Sequence, residues 1–188
     1  MNFENEKIIQ RRNIEEIRLA IKKEELIESD RAIYKNFMSM EALKWADVIF
    51  CFVSLTREID TTPIITELLN CGKTVGVPKC ISGNTMEVYE IKSLNDLESG
   101  FYGIYEPKKS CRLISPQEID LAIIPCTSCD VKGNRLGKGG GYYDRYLFGQ
   151  TFKKVALCRE KLLSDKIVMG IHDIKMDLVV TENNIYKT

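Results

Sequence analysis

The N-terminal segment has the hydrophobic periodicity of a helix. Ile14, Ile17 and Ile21 recur at intervals of three and four residues, and charged side chains occupy the other faces. Neither proline nor glycine interrupts this stretch. The pattern therefore predicts one long amphipathic helix over about residues 3–29.

Short apolar runs rich in β-branched residues follow, and such runs are typical of buried strands. Pro78 is expected to end the second strand, and Trp45, just before the first, is interpreted as a core residue. A helix is predicted to start at Thr61-Thr62-Pro63 and to close at Cys71-Gly72, and another to begin near Tyr142. The predicted strands cover about residues 46–53, 74–77, 86–91, 120–125, 153–158 and 177–181.

Strands that alternate with helices indicate a parallel sheet, because each parallel connection must cross over one face of the sheet. No internal repeat, low-complexity tract or linker divides the chain. The sequence therefore predicts an α/β fold, in which residues 1–188 form a single domain. Its core would be an open, mainly parallel sheet with helices on both faces, a Rossmann-like three-layer arrangement.

Composition and charge exclude several classes of function. Hydrophobic residues make up 44% of the 188 residues and charged residues 29%, a globular mixture. Basic and acidic residues number 27 each, so the chain lacks the basic excess that binds nucleic acid or anionic membranes. No apolar run approaches a membrane span of about 18 residues, and the charged N-terminus has no signal-peptide core. We expect a cytoplasmic protein that binds neither nucleic acid nor membranes.

The seven cysteines are irregularly spaced, and in a reducing cytoplasm we expect free thiols, mostly buried. Cys126 and Cys129 form a C-x-x-C pair. A zinc site needs about four ligands, whereas the chain has one histidine, His172, and no second C-x-x-C. A thioredoxin-like pair would begin a helix, but this one precedes a glycine-rich loop. Neither a zinc site nor a redox pair is favoured.

The glycine-rich segment at 133–145 is the most informative stretch, since it holds five of the twelve glycines. Such a loop lets backbone N–H groups crowd around an anion, and Arg135 and Lys138 add positive charge. Lys138 is followed by glycine rather than Ser or Thr, so the loop is not a Walker A motif, and the Rossmann glycine spacing also fails. The pattern favours a phosphate-binding loop over a structural turn.

The run RLGKGGGYYDR at 135–145 closely resembles the signature of the 5-formyltetrahydrofolate cyclo-ligase family, whose members are also called 5,10-methenyltetrahydrofolate synthetases. Further matches occur in the family's order along nearly the whole chain. They are Lys7, Arg11 and Arg18, the segments 52–61, 72–78, 103–107 and 120–125, and then His172-Asp173, Asp177 and Thr181-Glu182.

The resemblance implies an enzyme that converts 5-formyltetrahydrofolate to 5,10-methenyltetrahydrofolate with MgATP, releasing ADP and phosphate. Small molecules would be its only partners, and a monomer is expected. The implied ATP-binding residues are Lys7, Arg11, Arg135, Leu136, Gly137, Lys138, Gly139, Gly140, Gly141, Tyr142 and Tyr143. The implied folate-binding residues are Val53, Glu58, Lys138, Gly139, Gly140, Gly141 and Tyr142. The implied Mg²⁺ ligands are Asp144 and Asp173.

Each implied role has a plainer alternative. Lys7 and Arg11 could belong to a solvated helix face, and Val53 could be core. Asp144 could complement the charge of a helix terminus, and Glu106 could be structural. The alternative for the whole protein is a non-catalytic nucleotide- or folate-binding module of the same fold.

The sequence also departs from the family pattern. Arg159 and Leu162 replace an aromatic residue and an amide, Val168 replaces a proline, and Cys129 stands where an aromatic is common. The first two changes are expected to alter the substrate pocket and to leave the glycine loop and both aspartates intact.

Overall fold

The computed structural model describes residues 3–81, 85–100 and 103–188. The helices are Phe3–Ala20 (α1), Lys23–Met38 (α2), Glu41–Trp45 (α3), Thr62–Asn70 (α4) and Tyr142–Leu147 (α5). The first six strands are Val48–Cys51 (β1), Thr74–Ile81 (β2), Thr85–Ile91 (β3), Leu97–Ser99 (β4), Tyr105–Pro107 (β5) and Leu113–Ile114 (β6). The others are Leu121–Ile124 (β7), Ser128–Cys129 (β8), Arg135–Leu136 (β9), Lys153–Leu157 (β10), Leu178–Val180 (β11) and Ile185–Lys187 (β12).

Eight strands form one sheet in the order β12-β11-β10-β7-β1-β2-β3-β6. The central strands β11, β10, β7, β1 and β2 are parallel. On one side β12 pairs antiparallel with β11, and on the other β3 pairs antiparallel with β2 and β6 antiparallel with β3. Two short ribbons, β4–β5 and β8–β9, lie outside this sheet. The predicted α/β class and mainly parallel sheet are confirmed.

Alternation along each strand divides the core into two layers. Ile49 and Cys51 of β1 pack on the side covered by α2, α3 and α4. Phe50, between them, packs on the other side with residues of α1 and α5. Because successive side chains of a strand point to opposite faces, a sheet covered on both sides must be apolar at nearly every position. The predicted three-layer arrangement is therefore observed.

The prediction of a single N-terminal helix is wrong, because the helix breaks after Ala20. The guanidinium of Arg57 donates through Nη2 to the carbonyl oxygens of Arg18, Leu19 and Ile21, at 2.7, 3.0 and 2.9 Å. These carbonyls lie in the last turn of α1 and just beyond it, where the N–H donors of a further helical turn are missing, so a side chain from another segment caps the helix. Arg57 has a left-handed backbone with φ of 66°, which is unusual outside glycine.

Two further expectations are corrected. Pro78 does not end its strand, since β2 continues to Ile81. The neighbouring strand β1 pairs with β2 only as far as Gly76. Pro78 has no backbone N–H to donate, and it lies beyond Gly76, where β1 no longer pairs with that side of β2. Trp45 is not a core residue, because it is 81% exposed.

Three cysteines are buried, the others are exposed or half-buried, and all seven are free thiols. Free thiols were expected, but fewer are buried than the composition suggested. None of the helices in the described ranges is both long enough and apolar enough to cross a membrane.

The role of Arg57 in ending α1 can be tested by two substitutions. Arg57→Ala removes hydrogen bonds from a charged donor and should lower the free energy of unfolding by about 1.5–3 kcal/mol. Arg57→Gly loses the same bonds but relieves the left-handed backbone, so it should be about 0.5–1 kcal/mol more stable than the alanine variant. Urea denaturation would measure both values. Wild-type stability of the alanine variant would contradict the capping role.

Candidate active site

A cavity of about 1000 Å³ opens at the carboxyl edge of the parallel sheet. Its floor includes Phe52 and Val53, which follow β1, and Pro125 and Cys126, which follow β7. These two strands are neighbours, yet the chain leaves β1 toward β2 on one side and leaves β7 toward β10 on the other. The cavity therefore lies at the topological switch point, where open α/β sheets bind ligands.

The glycine loop forms one wall of this cavity. It runs from β9 to α5, and Gly137 through Gly141 all line the cavity. Gly139 and Gly141 have φ of 103° and 68°, conformations that residues with a Cβ rarely adopt. The helix after the loop begins at Tyr142, as predicted. The loop thus presents backbone to the cavity rather than bulky side chains.

Arg135 anchors this loop from below and is only 4% exposed. Its Nη1 donates to the carbonyl oxygen of Pro125 at 3.1 Å, and its Nη2 donates to Oδ1 of Asp144 at 2.8 Å. The guanidinium also lies 5.9 Å from the ring centroid of Tyr143, whose own ring stacks on Phe50 at 6.1 Å. Burial raises the pKa of Tyr143. One buried cation therefore joins the end of β7, the loop and the first turn of α5.

Helix α1 forms the opposite wall. Lys7 and Arg11 lie one turn apart and both line the cavity. Lys7 forms an ion pair with Asp173, whose carboxylate also accepts from the backbone N–H of Gly170 at 2.6 Å. Arg11 donates through Nε to the carbonyl oxygen of Gly137 at 2.7 Å. The helix is thereby fixed to both the glycine loop and the segment around Asp173.

The third wall is the turn that follows β1. Glu58 lies here with a side chain 10% exposed, and its Oε1 forms an ion pair with Nζ of Lys138 at 2.5 Å. The other oxygen accepts from the backbone N–H of Leu55 at 2.7 Å. The turn is fixed by Thr61, whose hydroxyl donates to the carbonyl oxygen of Phe52 at 2.8 Å. Glu58 is consequently held rigidly and faces the glycine loop.

The structure brings nearly all of the residues singled out from the sequence to this one cavity. Leu136 is the exception, because it is buried, with 1% exposure, and does not line the cavity. Val53 lines the cavity and also packs against the core, so its position is compatible with either interpretation. His172 lies at the rim and is exposed.

Comparison with known proteins decides the family. The sequence model of the 5-formyltetrahydrofolate cyclo-ligase family matches residues 4–182. The chain belongs to this family. It is 29% identical over 180 residues to the 5-formyltetrahydrofolate cyclo-ligase of Escherichia coli K12, an alignment that covers 93% of this chain and 99% of the relative.

Two more similarities agree with the membership. A probable 5-formyltetrahydrofolate cyclo-ligase of Schizosaccharomyces pombe is 33% identical over 147 residues, which are 70% of this chain and 72% of the relative. The solution structure of 5,10-methenyltetrahydrofolate synthetase from Aquifex aeolicus superposes with a TM-score of 0.87. That comparison has 28% sequence identity and covers 96% of this chain and 92% of the other. The fold of this cyclo-ligase family member is thus the fold of a solved family structure.

Several cavity residues of this family member were assigned no ligand role from the sequence. Glu106, for which a structural role was the alternative, is 4% exposed, and its Oε1 accepts from the backbone N–H of Cys80 at 3.0 Å. The others are mostly apolar. Some belong to regular elements: Phe3 and Ile8 of α1, Pro78 and Cys80 of β2, and Met86 of β3. The rest come from loops, where periodicity gives no signal: Leu55, Ile104, Met169 and Ile171.

Two of the four family departures, Arg159 and Leu162, do not line the large cavity. Arg159 is 3% exposed and donates to Oδ1 of Asp30 at 2.5 Å and to the carbonyl oxygen of Glu58 at 3.3 Å. Burial lowers the pKa of Arg159 and raises that of Asp30. Leu162 is buried nearby, and both line a separate void of about 20 Å³. These residues support the turn that carries Glu58 from behind.

The anchoring role of Arg135 gives a stability prediction for this cyclo-ligase family member. Arg135→Met keeps an apolar stem but leaves Asp144 and the carbonyl of Pro125 without their donor. We expect a loss of about 1.5–3 kcal/mol in the free energy of unfolding, measured by denaturant titration. Arg12→Met is the matched control, because the Arg12 side chain is 82% exposed and should change stability by less than about 0.5 kcal/mol. Equal losses for the two variants would contradict the anchoring role.

Proposed function

We propose that this protein is a 5-formyltetrahydrofolate cyclo-ligase of folate one-carbon metabolism, with ATP as co-substrate and Mg²⁺ as its metal ion. One observation carries the proposal. In a chain of this family, the glycine loop faces two basic residues of α1 on one side and a rigid glutamate on the other, around a single cavity. A cavity of about 1000 Å³ is at the upper end of ligand pockets, large enough for a nucleotide and a folate together.

The nucleotide end is proposed to lie between α1 and the glycine loop. Arg11 uses only Nε in binding Gly137, so in the described part of the chain its two η nitrogens have no hydrogen-bond partner and can donate to phosphate oxygens. Lys7 and Lys138 each form an ion pair with a carboxylate, and a phosphate can compete for either ammonium group. Both η nitrogens of Arg135 are engaged below the loop, with Pro125 and Asp144, so we assign it a positioning role rather than a phosphate contact.

The folate end is proposed to lie beside the turn after β1. Glu58 supplies a carboxylate that can accept hydrogen bonds from the N–H groups at the edge of a pterin ring. Val53 supplies apolar surface, and the Tyr142 ring at the loop can stack on an aromatic part of the ligand. A folate in this position would displace the ammonium of Lys138 from Glu58 and donate its own hydrogen bonds to that carboxylate.

Asp144 and Asp173 have the chemistry to hold Mg²⁺, which prefers one or two carboxylates together with phosphate oxygens and water. Both line the cavity. The hydrogen bonds to Asp144 use Oδ1, and those to Asp173 use Oδ2. Within the described ranges, the second oxygen of each carboxylate therefore has no protein partner. These two oxygens are the proposed metal ligands, and the ion would neutralise phosphate charge.

The chemistry requires alignment more than reactive side chains. The formyl group is an amide and a poor electrophile. Transfer of the terminal phosphoryl group of ATP to its oxygen yields ADP and converts that oxygen into a leaving group. The bridging aniline nitrogen then attacks the formyl carbon and loses its proton to solvent, the ring closes, and the C–O bond breaks to release phosphate. Positive charge at both loop walls stabilises the transferring phosphoryl group.

We also propose that the protein acts as a monomer in the cytoplasm, on small molecules alone and without a nucleic-acid or membrane partner. Its equal numbers of acidic and basic residues support the absence of a nonspecific electrostatic attraction to nucleic acid or anionic lipid.

Coupling between the two substrates tests the proposed reaction. Purified protein with ATP and Mg²⁺ should release ADP only when 5-formyltetrahydrofolate is present, in equal amount to the methenyl product followed by its absorbance. Chelating the Mg²⁺ should abolish both signals. Binding of ATP and folate without any turnover would contradict the proposal and favour a non-catalytic binding module.

Asp144→Asn tests the proposed metal ligand. The change keeps the shape and removes the charge, so turnover should fall by roughly a hundred- to a thousand-fold, or about 2.7–4 kcal/mol. ATP binding should partly persist through Lys7 and Arg11. Asp47→Asn is the control. The Asp47 side chain is 87% exposed and precedes β1, whereas the cavity lies at the other end of that strand. Turnover of this variant should stay normal. Near-normal turnover in Asp144→Asn, with a stability change of only about 0.3–1 kcal/mol, would instead assign Asp144 to the helix terminus.

A further inference from the structure

Three cysteines from separate elements meet at the floor of the cavity. Cys126 follows β7, Cys129 lies in β8, and Cys158 follows β10. Strands β7 and β10 pair in parallel with Ile124 opposite Ala156, and continuing that register by two residues brings Cys126 beside Cys158. The ribbon β8–β9 then returns Cys129 to the same place. The three sulfur atoms all lie within 4.8 Å of one another.

This spacing is close to that of a metal–thiolate site. An ion bound to thiolates at about 2.3 Å holds its sulfur atoms roughly 3.8–4 Å apart. The observed limit of 4.8 Å requires a closure of at most about 1 Å. A disulfide, by contrast, would join only two of the sulfurs at about 2.05 Å and leave the third thiol without a role.

Two buried cations lie beside the three sulfurs. Arg135 lines the large cavity together with Cys126, and Arg159 lines the adjoining small void together with Cys126 and Cys158. They are 4% and 3% exposed, and each has an Nε that lacks a hydrogen-bond partner in the described ranges. Two buried cations with unused donors are suited to a cluster that becomes anionic on binding an ion.

We propose that Cys126, Cys129 and Cys158 form a three-thiolate site for a soft metal ion, with monovalent copper as the preferred occupant. Thiolates select soft ions such as Cu(I), and no histidine or carboxylate joins the three sulfurs among the described residues. Structural zinc sites almost always have four ligands, so Zn²⁺ would need a water as its fourth ligand and should bind less tightly. Binding releases the protons that remain on the thiols to solvent.

The cavity gives the ion a path to the site. Cys126 is half-buried and lines the cavity, whereas Cys129 and Cys158 are buried behind it. An ion can therefore reach Cys126 from solvent and then draw in the other two sulfurs. The proposal does not depend on the ligase reaction, because none of its supporting contacts involves a substrate.

The test uses the reduced full-length protein under anaerobic conditions, titrated with Cu(I) against a coloured Cu(I) chelator. We expect one tightly bound equivalent. Cys126→Ser and Cys158→Ser should each weaken Cu(I) binding by more than about 100-fold, since losing even an outer-shell partner of a metal site costs about 10–100-fold. Cys71→Ser, at an exposed thiol outside the trio, should leave the affinity unchanged. A parallel Zn²⁺ titration should give weaker binding.

X-ray absorption of the copper-loaded wild-type protein tests the same site without relying on variants that could misfold. It should show three sulfur neighbours at about 2.3 Å. Unchanged affinity in both serine variants, a two-sulfur spectrum, or binding of Zn²⁺ tighter than Cu(I) would each overturn the proposal. So would a Cys126–Cys129 disulfide in the anaerobically purified protein, detected by mass spectrometry, because it would remove two of the three ligands.

Discussion

The active-site cavity depends on the buried guanidinium of Arg135. It contacts the end of β7, the underside of the glycine loop at Gly137 and the first turn of α5. A glycine-rich loop has high conformational entropy, so it can bind an anion only if something else fixes its course. Here the fixed fork of an arginine does so, since a planar guanidinium can satisfy a carbonyl and a carboxylate at once. The family signature thus contains both the flexible backbone and the cation that orders it.

The cavity is electrostatically balanced before any ligand arrives. Lys7 is paired with Asp173, Lys138 with Glu58 and Arg135 with Asp144. Such pairing keeps the charges of a concave site compensated, and it holds the side chains near the positions that a phosphate or a pterin would use. With the proposed roles, substrates would exchange partners within an existing network, which limits the reorganisation needed for binding. The same pairs connect α1, the turn after β1 and the loop before β11.

Much of this fold could be predicted from the sequence, because its strands are short, apolar runs and its connections are helical. The glycine loop and the start of α5 at Tyr142 were also predictable, since local composition determines them. The break of α1 was not, because the group that ends the helix, Arg57, lies 36 positions beyond Ile21. The meeting of Cys158 with the C-x-x-C pair depends on the register of two strands, which no local pattern encodes. The extent of the domain and the individual ligand roles stay predictions.

The ion pair between Lys7 and Asp173 joins residues 166 positions apart in the chain. Closing so long a loop carries an entropic cost that must be offset by contacts formed elsewhere, so such pairs tend to form late in folding. During synthesis α1 is made before the segment that carries Asp173, so it must wait for the intervening chain before this partner exists. Until then its apolar face, including Ile14, has no completed sheet to cover. The helix that closes the cavity is therefore made long before the segment that holds it in place.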